Sequence, residues 1–219
     1  MIINYWILPI ALVLLWLPRQ WLRFGTRYIP GAQSRRPDRH ANARNPGDVS
    51  LRLRQEMAKP RNWIDLVRAT VGSLVIGYSA LQAAPEAHPD VHTQIFMVKC
   101  IIFVVAVLIQ MVRFEGRLTL APPIFFVFGL SFGLIGWMAA CFAIVAICVF
   151  NLVLPGPASF LFVFSGLQAV FGVMFARSSF RETMLAAGLS FFPVVFSLMT
   201  KRRLMQLSKK SKSTVRVKT

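Results

Sequence analysis

The feature that most constrains this chain is a long stretch without charge. No Asp, Glu, Lys or Arg occurs between Arg117 and Arg177, and residues 122–156 read PPIFFVFGLSFGLIGWMAACFAIVAICVFNLVLPG. Apolar runs of this length are typical of helices that cross a lipid bilayer. Of all residues, 56% are hydrophobic and 15% are charged, against about 25% charged in ordinary soluble domains. The sequence therefore predicts an integral membrane protein with an all-α fold.

The length of this run decides how often it crosses. One helix over residues 122–154 would be about 50 Å long, whereas the hydrocarbon core of a bilayer is about 30 Å thick. Fitting such a helix needs a tilt beyond the usual range. Trp137 follows Gly136 at the midpoint, and tryptophan prefers the membrane interface. We therefore predict two crossings, 122–137 and 139–154, with a turn between them.

Further apolar stretches of similar length occur along the chain. Together they predict a polytopic bundle of about seven spans, with six as the alternative. The chain divides into an uncleaved anchor helix (1–17), a basic loop (18–62), a helix bundle (63–200) and a basic tail (201–219). The predicted spans are about 2–17, 63–82, 94–112, 122–137, 139–154, 157–176 and 184–200.

Positive charge predicts the orientation of the bundle. The loop 18–62 contains eleven Lys or Arg against three acids, and the tail 201–219 contains eight and no acid. Lys and Arg accumulate on the cytoplasmic side of membranes. Seven spans place both segments on that side, with the N-terminus outside and the C-terminus inside. We expect a multi-pass protein of a bacterial inner membrane.

The second half of the basic loop predicts a short amphipathic helix lying on the membrane surface. Val49, Leu53 and Met57 recur every four residues, which gives an in-plane helix one apolar face. Cations at such surfaces attract anionic lipid. The predicted lipid contacts, from this helix and from the start of the tail, are Arg52, Arg54, Lys201, Arg202 and Arg203.

The second span begins with recognisable signals. Pro60 is expected to end the surface helix, and Asn62 is expected to cap the next one, with Trp63 at the interface. Asp65 and Arg68 are one helical turn apart, so they are expected to pair near the inner surface, with the arginine side chain snorkelling toward water.

Polar residues within the predicted spans are the candidates for an intramembrane site, because buried ionisable groups in lipid are costly. They are Lys99, Gln110, Asn151 and Gln168. Lys99 lies near the predicted outer surface, where it could reach water as a structural group or act as a functional one. Gly129 and Gly133 fall on one helix face, which predicts close helix packing.

Catalytic and metal chemistry find little support in the sequence. The three histidines all lie outside the predicted spans, and phosphate-binding glycine loops are absent. His88, Asp90 and His92 in the outer loop have side chains that suit a divalent metal, but an ordinary solvated loop is favoured. We predict no catalytic residue, no metal and no cofactor.

Two classes of function remain open. The first is a non-catalytic subunit or scaffold of a membrane complex, whose basic cytoplasmic segments contact anionic lipid or an acidic partner and whose spans meet protein partners. The second is a small-solute or lipid transporter, favoured by a possible repeat of the hairpin 122–154 in residues 157–200. Nucleic acid is not an expected partner, because no basic domain with interleaved aromatic residues occurs.

Overall fold

In the computed structural model of this protein, the structure describes residues 2–18, 53–82, 88–115, 117–151, 153–154, 156–175 and 179–200. Helices dominate this part of the chain. They are α1 (Ile7–Trp16), α2 (Leu53–Met57), α3 (Pro60–Val75), a π-helix (Ile76–Ala80) that continues α3, α4 (Pro89–Met111), α5 (Ile124–Leu134), α6 (Trp137–Phe150), α7 (Pro157–Phe175) and α8 (Phe180–Met199).

The described chain is mostly helical, as the all-α prediction expects, with two short β-ribbons in addition. The strands β1 (Ile2–Ile3) and β2 (Leu81–Gln82) pair antiparallel, as do β3 (Val112–Glu115) and β4 (Arg117–Leu120). The second ribbon replaces the loop predicted after the third span. Its sequence VRFEGRLTL alternates β-branched or large apolar residues with polar ones around a central glycine, a pattern that favours a hairpin.

Among the described residues, three helices are long and apolar enough to cross a membrane, by length and composition: Pro89–Met111, Pro157–Phe175 and Phe180–Met199. The helices α1, α5 and α6 are apolar but shorter. These features fit a membrane protein. Seven spans remain a prediction, because helix length alone does not assign a crossing to the shorter helices.

The contacts among the first helices show their relative directions. α1 runs antiparallel to α3, because Ile3 pairs with Leu81 at one end while Arg68 reaches the Leu17 carbonyl at the other. α4 is also antiparallel to α3, since Lys99 contacts Gly77 and Arg68 contacts Gln110.

The second half of the chain shows that α5 and α7 run in the same direction. Phe128 lies edge-on to Phe164, with 4.8 Å between ring centroids. Further along both helices, Ser131 meets Gln168. α8 returns antiparallel to α7, because Phe162 packs on Phe191 while Gly172, further along α7, lies against Thr183 near the start of α8.

The chain reverses between α5 and α6. Phe142, near the start of α6, stacks on Phe175 at the end of α7, so these two helices are antiparallel and α6 also opposes α5. The reversal occurs at Gly136, whose φ of 82° suits a residue without a Cβ. The turn predicted in this apolar run is therefore present. Gly129 and Gly133 of α5 lie against Ala69 and Ser73 of α3, so α5 runs parallel to α3, and the seven helices of ten or more residues in the described chain alternate in direction.

Several element boundaries differ from the sequence prediction. α4 begins at Pro89 and α8 at Phe180, four to five residues before the predicted spans. α3 begins at Pro60, with proline in its first turn, a position where the missing N–H costs nothing. The prediction that Asn62 caps this helix is wrong: its amide instead donates to the Glu56 carbonyl oxygen over 2.6 Å.

The helix α5 is the centre of the bundle and is buried over nearly its whole length. It packs most extensively on α3. A Cβ atom at Gly129 would collide with the Leu66 carbonyl and Ala69, and one at Gly133 would collide with Ser73. Glycine is therefore required at both positions by the close approach of two backbones, as predicted for small residues in membrane helices.

Candidate functional site: two buried polar clusters

The buried polar residues are the candidate functional residues of the bundle. In the described chain they are Asn62, Asp65, Arg68, Ser73, Gln110, Ser131, Gln168, Thr183 and Ser190. Two groups of them connect different helices. We call Asp65, Arg68 and Gln110 the arginine cluster, and Ser131, Gln168 and Ser190 the glutamine cluster.

The arginine cluster links α3 to α4 and to the C-terminal end of α1. Arg68 Nη2 lies 2.9 Å from Asp65 Oδ1 and donates to Gln110 Oε1 over 2.6 Å. Its Nη1 donates to the Leu17 carbonyl oxygen over 2.5 Å. Gln110 Nε2 reaches the carbonyl oxygens of Leu17 at 2.9 Å and Leu15 at 3.2 Å. One guanidinium and one amide thus hold three helices together.

These contacts satisfy groups that helix geometry leaves without partners. The last carbonyls of an α-helix have no intrahelical donor, and in lipid they have no water either. Arg68 and Gln110 supply donors to the end of α1. The Arg68 guanidinium also lies 5.7 Å from the centroid of the Phe126 ring, a cation–π distance.

The structure corrects the expected placement of the Asp65–Arg68 pair. The pair is present, but Arg68 is only 6% exposed and Asp65 only 2%, so the arginine does not snorkel to a surface. Its fork geometry instead finds acceptors inside the bundle, which compensates for the loss of water around the charge. The pair was predictable from its one-turn spacing, whereas its link to Gln110, 42 residues away, was not.

The glutamine cluster links α5, α7 and α8. Gln168 Nε2 donates to Ser131 Oγ, and Ser190 Oγ donates to Gln168 Oε1 over 2.5 Å. Ser131 Oγ in turn donates to the Val127 carbonyl oxygen over 2.9 Å. All three residues are buried. Both the nitrogen and the oxygen of the Gln168 amide are therefore hydrogen-bonded within the protein, and this side chain connects the three helices.

Lys99 and Asn151, the other two intramembrane candidates, lie apart from both clusters. Lys99 is half-buried and donates to the Gly77 carbonyl oxygen, 3.3 Å away in the π-helix. Asn151 caps the C-terminal end of α6. The four candidates therefore do not converge on one site.

The candidate metal ligands lie at the exposed start of α4. His88 Nδ1 is 3.1 Å from Asp90 Oδ2, and His92 is exposed on the first turn of the helix. Among the described residues, no group of three His, Cys, Asp or Glu side chains could hold a metal ion.

The predicted lipid contacts fall mostly beyond the described residues: Arg52, Lys201, Arg202 and Arg203 lie outside them, and so does the side chain of Arg54. The short helix α2 covers part of the predicted surface helix. Leu53 is buried beside Met111 and Leu120, whereas Met57 is exposed. The predicted apolar face is therefore buried in the protein at Leu53 and exposed at Met57. The surface position of this helix remains a prediction.

A groove with a volume of about 510 Å³ opens between α6, α7 and α8. The residues that line it include Phe150, Phe162 and Phe191, together with Ser165 and Gly166. The Ser165 hydroxyl donates to the Ala187 carbonyl oxygen over 2.8 Å. The groove therefore presents an apolar lining to whatever fills it.

Comparison with known proteins gives no relative for this arrangement. No family model matches the chain, and no curated protein or solved structure is significantly similar to it.

Proposed function

We propose that this protein is a non-catalytic, multi-pass subunit or scaffold of a membrane complex. The observation that supports this function best is that its buried polar side chains bond to one another and to backbone carbonyls inside the bundle. The arginine and glutamine clusters direct their donors to acceptors on neighbouring helices, and the groove between α6, α7 and α8 is apolar. Such an arrangement stabilises a rigid bundle and leaves its outer faces for lipid and partners.

A membrane setting explains the surface of α3. Its outward face carries Trp63, Ile64, Val67, Val71 and Leu74, all exposed, whereas its inward face carries Asn62, Asp65 and Arg68. A surface helix of a soluble protein has the opposite arrangement. Apolar residues outside and paired polar residues inside are what a lipid solvent favours.

The same proposal includes seven spans, with the N-terminus outside and the C-terminus in the cytoplasm of a bacterium. The strict alternation of helix directions supports an odd number of crossings. The eight cations of residues 201–219 then face the cytoplasmic leaflet, where anionic lipid or an acidic partner would meet them.

Exposed apolar residues offer surfaces for protein partners within the membrane. On α6, the exposed side chains include Phe142, Val145, Val149 and Phe150, and on α7 they include Val170 and Val173. Lipid covers such a surface when the protein is alone. Helices of a partner can replace lipid there by close packing.

Co-purification tests the proposed function. The full-length protein with a C-terminal tag is extracted from its native membranes in a mild detergent, and a harsh detergent serves as the matched control. We expect a stoichiometric partner to be retained in the mild detergent and lost in the harsh one. A single monodisperse species containing only this chain in both detergents would contradict a subunit role.

A transporter for a small solute or lipid is the second candidate, and one local feature favours it. The π-helix Ile76–Ala80 continues α3, and Lys99 contacts it at Gly77; π-helical segments are frequent at functional sites. If the protein transports a solute, Lys99→Met should abolish its uptake into proteoliposomes while the bundle remains folded. Uptake unchanged by that substitution would contradict a transport role for Lys99.

A further inference from the structure

We propose that the lipid bilayer is thinned beside α1 and α4, so that the membrane surface lies at the level of the arginine cluster on the side where these two helices end. The interaction surface is the lipid-facing side of α1 and α4, and its partner is a bilayer leaflet of reduced thickness. The inference rests on the proposed membrane function and concerns the contact of the bundle with lipid.

The glutamine cluster marks the middle of the long helices. Ser190 is the eleventh of the 20 residues of α8, and Gln168 is the twelfth of the 19 residues of α7. Ser131 of α5 accepts a hydrogen bond from Gln168. The level of Ser131 is therefore close to the midplane of α7 and α8.

The arginine cluster lies near the same level. Gly133, two residues after Ser131 on α5, lies against Ser73 of the parallel helix α3, so Ser131 is level with about residue 71. Arg68 is three residues away from that level, which is about 4.5 Å along α3. The ion pair of this cluster is therefore close to the middle of the bundle along its length, not at one of its ends.

Both α1 and α4 end at the level of the arginine cluster. The carbonyl oxygen of Leu17, which follows α1, accepts from Arg68, and Gln110 is the next-to-last residue of α4. α1 begins beside Tyr5 and Trp6, which are 76% and 87% exposed, and exposed aromatic residues of these types mark membrane interfaces. The 10 residues of α1 extend about 15 Å, whereas the 19 residues of α7 extend about 28 Å.

The elements next to the end of α4 require polar surroundings. β3 begins at Val112, directly after α4, and in the part of the chain that the structure describes it pairs with β4 alone. A two-stranded ribbon has unpaired N–H and C=O groups along both edges, and hydrocarbon offers them no hydrogen bond. The neighbouring helix α2 packs Leu53 beside Met111, and its Glu56 pairs with the partly exposed Lys59. Polar surroundings therefore begin where α4 ends.

A locally thin bilayer accounts for these observations together. Lipid adapts to a short apolar helix by thinning next to it, and a leaflet that ends near Leu17 matches the length of α1. The same thinning places the Arg68 ion pair near a membrane surface, where a charge costs less than at the centre of the hydrocarbon. The lipids expected beside α1 and α4 are therefore phospholipids with short acyl chains.

Spin labels on two exposed valines test this inference in liposomes. Val13 on α1 is 61% exposed and Val170 on α7 is 54% exposed. Val13 is four residues before Leu17 and Val170 is two residues after Gln168, so both labels lie near the centre of a bilayer of uniform thickness. Val13→Cys and Val170→Cys are made separately in the full-length protein without its native cysteines, and each is coupled to a nitroxide. Collision rates with oxygen and with a water-soluble nickel complex then give the depth of each label.

We expect the label at Val13 to be about 5 Å shallower than the label at Val170, because four helical residues, or about 6 Å, separate it from the end of α1. Equal depths would overturn the inference. A label at Val13 that is shielded from both oxygen and the nickel complex would also overturn it, because protein rather than lipid would then cover α1.

The choice of lipid by the unmodified protein gives a second measurement. Brominated phosphatidylcholines with chains of about 14 and about 22 carbons compete for the protein surface, and quenching of its tryptophan fluorescence reports which of them is bound. We expect at least about a twofold preference for the shorter chains, and equal binding or a preference for the longer chains would contradict thinning. Equal label depths in a protein that retains a partner would refute only this inference, whereas a depth difference without any partner would refute only the scaffold.

Discussion

Arg68 shows how a charged residue can be kept within a bundle of this kind. Its guanidinium is buried, yet it has an ion-pair partner, an amide acceptor and a carbonyl acceptor within 2.9 Å. A buried charge whose partner is removed is strongly destabilising, whereas replacing both members by apolar residues is often neutral. This asymmetry gives a test of the arginine cluster.

We expect Asp65→Leu to lower the free energy of unfolding by about 3 kcal/mol, because Arg68 loses the carboxylate that balances its charge. The double variant Asp65→Leu, Arg68→Met should recover part of this loss. Thermal unfolding in detergent measures both effects, with Asp90→Leu at the exposed start of α4 as the control. A double variant less stable than the single one would show that the guanidinium matters mainly through Leu17 and Gln110.

The glutamine cluster should contribute less than the arginine cluster, since its members are uncharged. Gln168→Leu removes hydrogen bonds to Ser131 and from Ser190, and such interhelical bonds contribute about 0.6–2 kcal/mol each in membrane proteins. We expect the loss of both bonds to lower the free energy of unfolding by about 1–3 kcal/mol in the same unfolding assay. Gln94→Leu, at an exposed position on α4, is the matched control. A Gln168→Leu protein as stable as the wild type would indicate that these bonds are not stabilising.

At the scale of elements, the contact between α3 and α5 determines the centre of the bundle. Gly129 and Gly133 allow the two helices to approach until backbone meets backbone. The glycines that lie on outer faces, such as Gly188, have open space beside them instead. Their sequence contexts are similarly apolar, so only the packing tells them apart.

Substitution of these glycines should therefore give opposite results. Gly133→Ala forces Ser73 and α3 away, at an expected cost of about 1–3 kcal/mol from overpacking. Gly188→Ala adds a methyl group to open space and should stabilise α8 slightly, because alanine favours helix over glycine. Thermal unfolding of the two variants distinguishes them. Equal effects would mean that α3 and α5 are not in close contact.

At the scale of the whole molecule, the side of the membrane on which the turn at Gly136 lies distinguishes two topologies that share the same helix directions. In the proposed orientation, with the N-terminus outside, crossings by both α5 and α6 would put the turn outside and the tail in the cytoplasm. If that hairpin enters and leaves on one side, the remaining helices place the tail on the same side as before. The position of the turn itself is therefore the quantity to measure.

Cysteine labelling measures the side of the membrane on which the turn at Gly136 lies. In a background without Cys100, Cys141 and Cys148, we expect Trp137→Cys to react with an impermeant maleimide from outside, because Trp137 is 60% exposed at the turn. Ser213→Cys in the tail should react only after the membrane is opened. Labelling of both positions from the same side would refute the two-crossing reading of residues 122–154.

Sequence by itself determined the class of protein, the place of the helices and the turn at Gly136. These depend on local quantities: the length of apolar runs, the bilayer thickness and the spacing of proline, glycine and tryptophan. The same information predicted the Asp65–Arg68 pair, since its members are one turn apart.

Only the tertiary structure decided which polar residues meet. Gln110 joins Arg68, and Gln168 joins Ser131 and Ser190, across separations of 22 to 42 residues. It also decided that Arg68 lies inside rather than at the surface, and that Gly133 is crowded while Gly166 is open. The physical reason is that packing against neighbouring helices sets the rotation of each helix about its axis. When both the lipid-facing and the protein-facing sides of a helix are apolar, its sequence does not show which side is which.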